Sequence, residues 1–298
     1  MILRVTASCP AKINLGLAVL GKRADGFHEI ATVFQAIDLE DRIEAEAAPT
    51  LGLVCDDSSI PAGEENLVLR AARALQERYP EARGRGASIT LRKSIPAGGG
   101  LGGGSSDSAG ALLALASLWG IALDPATAGE IAASLGSDVP FFLLGGRALG
   151  TGRGERLTPL PAGPERAVVL GTPAFALATA EVYGALGSTL TPPGPAVTVT
   201  RFLVKLAEGN DFARATNDLE RAALAMRPEL AAFKSALLSQ GAKPSLLCGS
   251  GSSVFGMFDG AGEAEAAATR VRAGFPGWTV RVARTTGLGA RLTDQAGS

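Results

Sequence analysis

The sequence is poor in the residues that several common kinds of active site require. Its 298 residues include a single histidine and three cysteines. The cysteines, Cys9, Cys55 and Cys248, are widely spaced and odd in number. They fit neither a disulfide framework nor a zinc-ligand spacing, so we expect reduced thiols. A Ser-His-Asp mechanism would have to use His28, and the chain has no G-x-S-x-G nucleophile elbow, which argues against a hydrolase.

The sequence also lacks an excess of charge of one sign and a long apolar run. The formal net charge is −1 and no block of Lys and Arg stands out, which argues against nucleic acid or an acidic membrane surface as the main partner. The longest apolar stretch, residues 111–123, is too short and too interrupted for a membrane span. The first ten residues lack the apolar core of a signal peptide. We therefore expect a soluble, cytoplasmic protein with no membrane and no nucleic-acid partner.

The chain nevertheless has enough apolar residues, 46%, for a sizeable core. Its length suits two ordinary domains. The regular patterns pause at 157–165, which predicts a boundary there and domains at 1–158 and 159–298. The polar tail from residue 284 is expected to fray.

A period-two pattern at the start of the chain predicts a strand. In "KINLGLAVL" four apolar residues alternate with smaller or polar ones, which places Lys12 and Asn14 side by side on the other face. Asp25-Gly26 is a turn signal and the β-rich segment 31–37 follows it, so Lys12 and His28 are expected to flank one hairpin or loop.

Helix signals follow at several points. Asn66 is a plausible cap for an amphipathic helix over 66–79, and "DPATAGEIAASLG" supplies a cap at Asp124 and a stop at Gly136. The segment 209–241 is predicted to form two helices broken near Arg227-Pro228. Residues 244–258 are predicted to form a strand, a turn of small residues and a second strand.

The densest glycine segment is "IPAGGGLGGGSSDSAG" at residues 95–110. The segment has three possible interpretations: a flexible linker, a tight scaffold turn or a loop that binds an anion through its backbone, here called the anion cradle. A strand leads in and a helix, which Ser105 or Ser106 can cap, leads out. This arrangement favours the cradle because it aims backbone N–H groups and the positive end of a helix at an anion. No Lys follows the glycines, so it is not a Walker A loop.

Three isolated residues each have a bland and a functional interpretation. Asp138 in "GSDVP" is either a turn aspartate or a carboxylate held where it accepts a proton, and Val139-Pro140 favours an extended backbone after it. Lys12 is either a solvated lysine on an edge strand or a catalytic charge. His28 is either a loop residue without a special role or a residue that takes part in function.

Taken together, "PAKINLGL", "GGGLGGGSSDSAG" and "LCGSGSSVF" resemble the three ordered motifs of the GHMP kinase superfamily. "GKRADGFHEI", "SDVPFF" and "TNDLE" narrow the resemblance to its branch acting on 4-diphosphocytidyl-2-C-methyl-D-erythritol in the non-mevalonate isoprenoid pathway. The resemblance implies an α+β fold with a ribosomal-S5-like N-terminal domain and a ferredoxin-like C-terminal domain, and an active site in the cleft between them. It also implies ATP and Mg²⁺ as cofactors, with the metal ligands left open, and a monomer or weak homodimer.

The resemblance also implies roles for individual residues. Asp138 is the expected catalytic base on the substrate hydroxyl, and Lys12 is expected to stabilise both that oxygen and the transferring phosphoryl group. The substrate would be contacted by Asn14, Phe27, His28 and Thr179, with His28 and the Phe27 ring recognising cytosine. ATP would be bound by Asn66, Lys93, Pro96, Ala97, Gly98, Gly99, Gly100, Leu101, Gly102, Gly103, Gly104, Ser105 and Ser106.

Two residues depart from the usual family pattern. Phe27 stands where the family usually has Tyr, so stacking is kept and any hydroxyl contact is lost. Asp107 replaces what is often Asn and adds a negative charge beside a triphosphate site. Two alternative functions remain: another GHMP kinase acting on homoserine, mevalonate or a sugar, and a non-catalytic nucleotide- or sugar-binding module.

Overall fold

Two β-sheets with helices packed on them organise the chain. The structure, a computed structural model, describes residues 4–186, 196–209 and 211–296. The described strands are β1 (Arg4–Lys22), β2 (His28–Ala48), β3 (Leu51–Cys55), β4 (Gly86–Arg92), β5 (Arg147–Gly152), β6 (Arg156–Pro159), β7 (Ala167–Thr172), β8 (Ser245–Leu247), β9 (Val254–Phe258), β10 (Thr279–Arg284) and β11 (Arg291–Ala296). The described helices are α1 (Leu67–Arg78), α2 (Gly103–Trp119), α3 (Pro125–Leu135), α4 (Val139–Leu144), α5 (Thr179–Gly184), α6 (Ala196–Glu208), α7 (Glu220–Met226), α8 (Glu229–Ser239) and α9 (Ala261–Gly274).

The first sheet is built around a long antiparallel hairpin. β1 and β2 pair along almost their whole length, and Lys22 faces His28 where the hairpin turns. The sheet order is β11-β1-β2-β4-β3, with β5 also paired to β2 and β6 paired to β5. Helix α2 packs against β1 and β2, and α1 packs against α2. The predicted hairpin is confirmed.

The buried state of β1 corrects one interpretation of Lys12. Lys12 and Asn14 are only 4% and 1% exposed, so Lys12 is not a solvated lysine on an open edge. The side of β1 that faces away from β2 is covered by two segments from elsewhere in the chain. The Lys12 N–H donates to the carbonyl of Leu101, and the Leu17 N–H donates to the carbonyl of Thr216.

The second sheet has the order β10-β7-β9-β8, with all neighbours antiparallel. Helices α5 to α8 connect β7 to β8, and α9 connects β9 to β10. Counted along the chain, this is the β-α-β-β-α-β arrangement of a ferredoxin-like domain. Sheet membership changes between Pro159, the end of β6, and Ala167, the start of β7. The division at residue 158 remains a prediction, since β11 returns to the first sheet.

Several local expectations are confirmed. Asn66 caps α1 through a 2.9 Å hydrogen bond from the Val68 N–H, and Asp124 caps α3 through one of the same length from Thr127. Gly136 ends α3. The break before Pro228 separates α7 from α8, and the predicted strand–turn–strand is β8 and β9.

Three local expectations are wrong. The tail does not fray at 291–296, because β11 pairs with the start of β1. Asp138 has helical dihedral angles (φ −87°, ψ −15°) and precedes α4, whose Pro140 lies in the first turn, where a missing N–H costs nothing. The N-cap of α2 is Gly102 rather than Ser105 or Ser106.

Candidate active site

A cleft of about 1000 Å³ opens between the two halves of the chain. Its walls are the β1–β2 hairpin, the glycine segment, the residues that precede α4, and helix α5. The sequence-predicted residues that line it are Lys12, Asn14, Phe27, His28, Asn66, Lys93, every residue from Pro96 to Ser105, Asp138 and Thr179. Ser106 differs, since it is fully buried within α2.

The glycine segment curls against the start of α2. Gly98, Gly100 and Gly102 have φ values of 67°, 74° and 76°, which L side chains rarely adopt. The N-cap Gly102 makes no side-chain hydrogen bond to α2, so the first N–H groups of a 17-residue helix face the cleft without a side-chain cap. Backbone donors and the positive end of the helix dipole make this an anion site.

Close packing also requires glycine here. A Cβ on Gly100 would lie 1.9 Å from the carbonyl oxygen of Cys248. The Ser253 N–H donates to the Gly99 carbonyl at 3.1 Å, and a Cβ on Gly99 would meet the Ser253 hydroxyl at 2.5 Å. The glycine segment is therefore packed on the small-residue turn between β8 and β9.

Lys12 and Asp138 meet beside this segment. Nζ of Lys12 lies 3.6 Å from Oδ2 of Asp138 and donates to Oδ1 of Asn14 at 2.9 Å. The Asn14 amide in turn donates to the Thr32 hydroxyl at 2.8 Å, which donates to the Gly16 carbonyl at 2.7 Å. This chain of bonds fixes the ammonium, while the Asp138 carboxylate stays about one-third exposed to the cleft.

The "TNDLE" segment holds the floor of this site. Asn217 donates through its amide to the carbonyls of Leu247 and Gly249 at 3.0 and 2.7 Å, and its Oδ1 accepts the Leu219 N–H. A Cβ on Gly249 would lie 3.2 Å from Nζ of Lys12. Asn217 therefore fixes the backbone beside the Lys12 ammonium, a role sequence reasoning did not assign to it.

Lys93 and Asp107 form a buried cluster with Asp41, a residue that sequence reasoning missed. The Lys93 ammonium pairs with Asp107 at 2.6 Å and with Asp41, whose other oxygen accepts the Ser94 and Ile95 N–H groups. Burial, opposed by Lys93 and reinforced by Asp41, raises the pKa of Asp107 to about 8. This pairing accounts for the unusual Asp107. The ATP contact of Lys93 stays a prediction, and the ammonium that would make it is already held by two carboxyl groups.

The other end of the cleft is aromatic. The His28 imidazole stacks on the Tyr183 ring, with centroids 4.8 Å apart. Phe27 is half exposed, and the Arg153 guanidinium carbon lies 4.8 Å from its ring centroid. Thr179 and Ser250 share a hydrogen bond of 2.9 Å. Tyr183 and Arg153 were missed; the glycines that flank Arg153 in "TGRGE" were the available turn signal for the latter.

No described helix is both long and apolar enough to cross a bilayer.

The chain matches two sequence profiles. The profile described as GHMP kinases N terminal domain matches residues 66–146, and the one described as GHMP kinases C terminal matches residues 203–277. A relative from Pelotomaculum thermopropionicum, named 4-diphosphocytidyl-2-C-methyl-D-erythritol kinase, is 44% identical over 90% of this chain and 94% of its own. A relative of the same name from Moorella thermoacetica is 40% identical over 91% of this chain and 96% of its own.

Two solved structures resemble the fold. A crystal structure of 4-(cytidine 5'-diphospho)-2C-methyl-D-erythritol kinase has a TM-score of 0.76 and 36% identity, and the match covers 95% of this chain and 99% of that one. A homoserine kinase from Cytophaga hutchinsonii has a TM-score of 0.78 at 21% identity, covering 97% of each chain. The second likeness is one of fold alone.

Proposed function

The chain belongs to the GHMP kinases, and on that premise we propose that it transfers the γ-phosphoryl group of ATP to the 2-hydroxyl of 4-diphosphocytidyl-2-C-methyl-D-erythritol. The reaction belongs to non-mevalonate isoprenoid precursor biosynthesis. The substrate is that of relatives 40–44% identical over most of the chain. The observation that carries the chemistry is the contact between Lys12 and Asp138 beside the glycine segment.

Each group has a distinct part in the transfer. Asp138 accepts the proton of the substrate hydroxyl as its oxygen attacks the γ-phosphorus. The bond from that phosphorus to the β,γ-bridging oxygen breaks, and ADP leaves with the electron pair. Lys12 stabilises the charge on the attacking oxygen and on the transferring group. The N–H groups at the start of α2 and in the glycine segment bind the phosphates.

Mg²⁺ fits the donors available in the cleft. Magnesium is usually held by one or two carboxylates together with substrate phosphates rather than by an all-protein cage. Among the described residues, no group of three or more His, Cys, Asp or Glu side chains is arranged to hold a metal. The Ser105 hydroxyl lines the cleft beside the phosphate site. It would hold the ion together with the ATP phosphates, and the ion would neutralise phosphate charge, while Asp138 is kept as the proton acceptor.

The aromatic end of the cleft suits a cytosine. Phe27 offers a half-exposed ring face, and His28 offers ring nitrogens held in place by its stack on Tyr183. A second pocket for a flat base, besides the one for the adenine of ATP, has no use in a kinase for homoserine or mevalonate. Cytoplasmic location and a monomer or weak homodimer remain predictions.

The test is a panel assay of ATP consumption with the purified chain. Acceptors are the cytidine-diphosphate-linked methylerythritol, homoserine, mevalonate and galactose, each with Mg²⁺. We expect consumption with the first alone and a phosphomonoester at its 2-position by phosphorus NMR. Consumption with another acceptor instead would replace the proposed substrate, and no consumption with any would favour a binding module.

A further inference from the structure

The turn that joins β5 to β6 presents a single arginine to the cleft. Arg153 stands between Gly152 and Gly154, which have φ values of 73° and 107°. The Arg153 N–H donates to Glu155 at 2.6 Å, and the Gly152 N–H donates to Glu29 at 3.2 Å. The backbone that carries this side chain is thus fixed from both sides, and its guanidinium carbon lies 4.8 Å from the centroid of the Phe27 ring.

The carboxylates near this turn are already engaged with other groups. Glu29 pairs with Arg23 at 2.7 Å, and Asp25 pairs with Arg23 at 3.0 Å. Glu155 accepts the backbone N–H of Arg153 and pairs with Arg156. Among the residues that the structure describes, Arg153 makes no ion pair, and its guanidinium lies over the ring of Phe27 instead.

The other cations that line the cleft are less suited to a second anion. Lys12 is paired with Asp138, and Lys93 is held by the carboxyl groups of two aspartates. Burial and the charge of Lys22 hold the pKa of His28 below its usual value, so the imidazole is neutral at neutral pH. Lys22 itself is an exposed side chain at the hairpin end. Among the described cations that line the cleft, Arg153 is therefore the one that lies against another side chain while its side-chain N–H groups make no hydrogen bond or ion pair.

The position of the turn matches the order of groups in the substrate. On one side Arg153 touches Phe27, at the end of the cleft that suits the base. On the other side a Cβ on Gly154 would lie 3.8 Å from Oδ1 of Asp138, at the end where phosphoryl transfer occurs. In a nucleoside-diphosphate-linked alcohol, the diphosphate joins the base-bearing half to the half that carries the hydroxyl. It has to pass the turn that lies between these two ends.

From this placement we infer that Arg153 binds the diphosphate of the acceptor substrate, with the guanidinium fork on its oxygens and one face on Phe27. The inference rests on the proposed function, since it takes a nucleoside diphosphate as the acceptor. Arginine suits this role because its planar fork binds two oxygens at once and its face stacks on an aromatic ring.

The test compares Arg153→Gln with the intact chain in binding and in turnover. Calorimetry would give the Kd of CDP, which has the diphosphate, and of cytidine, which lacks it. We expect Arg153→Gln to raise the Kd of CDP by about 10- to 100-fold, as for loss of a charged hydrogen bond. The Kd of cytidine should stay within about twofold of that of the unmodified chain. KM for the acceptor should rise by a similar factor with kcat little changed, because the lost contact is made equally in the ground and transition states.

Two further variants serve as controls. Arg156→Gln removes a cation of the same hairpin that is 71% exposed and pairs with Glu155. This variant should leave the affinities for CDP and cytidine unchanged. Arg153→Lys keeps the charge without the fork and should recover part of the CDP affinity.

The outcomes separate the two claims. Equal weakening of CDP and cytidine by Arg153→Gln would place the guanidinium on the base and overturn the diphosphate assignment. Unchanged CDP binding, or a loss of CDP affinity in Lys22→Gln alone, would also overturn it. If the intact chain bound neither CDP nor cytidine, the proposed substrate would fall and the assignment with it.

Discussion

Nζ of Lys12 lies 3.6 Å from Oδ2 of Asp138, and the two residues come from separate elements that both line the cleft. Lys12 lies in the middle of β1 and its side chain is almost fully buried. Asp138 immediately precedes α4 and its side chain is partly exposed. A substrate hydroxyl that reaches the carboxylate is therefore also within the field of a fixed ammonium. In the proposed mechanism, the proton acceptor and the charge that stabilises the resulting alkoxide therefore form one unit.

Asp138→Asn should abolish turnover while leaving ATP binding largely intact. The amide keeps the shape and contacts of the side chain but accepts no proton, so kcat should fall by about 10²- to 10⁴-fold. Steady-state rates with the cytidine-linked acceptor would measure the first effect and calorimetry with an unreactive ATP analogue the second. Near-normal activity in this variant would rule out the base assignment.

His28→Ala should weaken binding of the cytidine-linked substrate far more than binding of ATP. The variant removes the ring that stacks on Tyr183 at the aromatic end of the cleft and leaves the glycine segment untouched. Loss of a hydrogen bond from a ring nitrogen to cytosine costs about 0.5–1.5 kcal/mol, so KM for the acceptor should rise several-fold. Comparing KM for both substrates measures the difference, and an equal loss for both would argue against a cytosine role.

Much of this site follows from local sequence pattern. Period two in "KINLGLAVL" is enough to put Lys12 and Asn14 on one face, and their 2.9 Å hydrogen bond confirms it. The strand before the glycines and the helix after them are likewise local signals, and both are present as β4 and α2. The phosphate-binding role that they predict for the segment stays a prediction. Family resemblance then supplied the role of Asp138.

What sequence reasoning missed depends on contacts between distant parts of the chain. Asp41 lies on β2 and has no local pattern that points to Lys93 or to α2. The burial of Lys12 depends on Leu101 and on the segment near Asn217, which pack along β1. The sequence of neither segment contains a pattern that predicts this packing. At α4 the preference before Pro140 gave way to packing, because Phe141 and Phe142 become fully buried in a helix.

Gly100→Ala should destabilise the chain and weaken ATP binding. The left-handed φ of 74° costs a residue with a side chain about 1–2 kcal/mol. The new Cβ would also lie 1.9 Å from the Cys248 carbonyl oxygen, so the glycine segment has to move off the β8–β9 turn. We expect a lower midpoint of thermal unfolding and a smaller rise of that midpoint on adding ATP.

Gly104→Ala is the matched control for stability. Its Cβ would meet its nearest neighbour, Cδ1 of Leu67, at 3.9 Å, and it lies inside α2, where alanine is favoured. Its unfolding midpoint without ligand should be equal to or above that of the unmodified chain. If both variants unfolded at the same temperature as the unmodified chain, the packing of Gly100 on Cys248 would not matter to the fold.

The buried cluster of Asp41, Lys93 and Asp107 should make stability depend on pH. One ammonium faces two carboxyl groups, and Asp107 is 2% exposed. Because burial raises its pKa to about 8, Asp107 is protonated in the folded chain well above the pH at which an unfolded aspartate, with a pKa of about 3.9, loses its proton. The folded state then binds more protons between about pH 4 and 8, so the free energy of unfolding falls as pH rises through that window.

Asp107→Asn should remove this dependence. An asparagine keeps a carbonyl oxygen for Lys93 and does not ionise, so the variant should gain stability relative to the unmodified chain as pH rises from about 5.5 to 8.5. Urea denaturation at several pH values would measure the difference in unfolding free energy. Asp124→Asn is the control: its cap to Thr127 holds the pKa of Asp124 below its usual value, so its difference from the unmodified chain should be constant over this range. A constant difference for Asp107→Asn as well would mean that Asp107 is ionised throughout, with Lys93 outweighing the cost of burial.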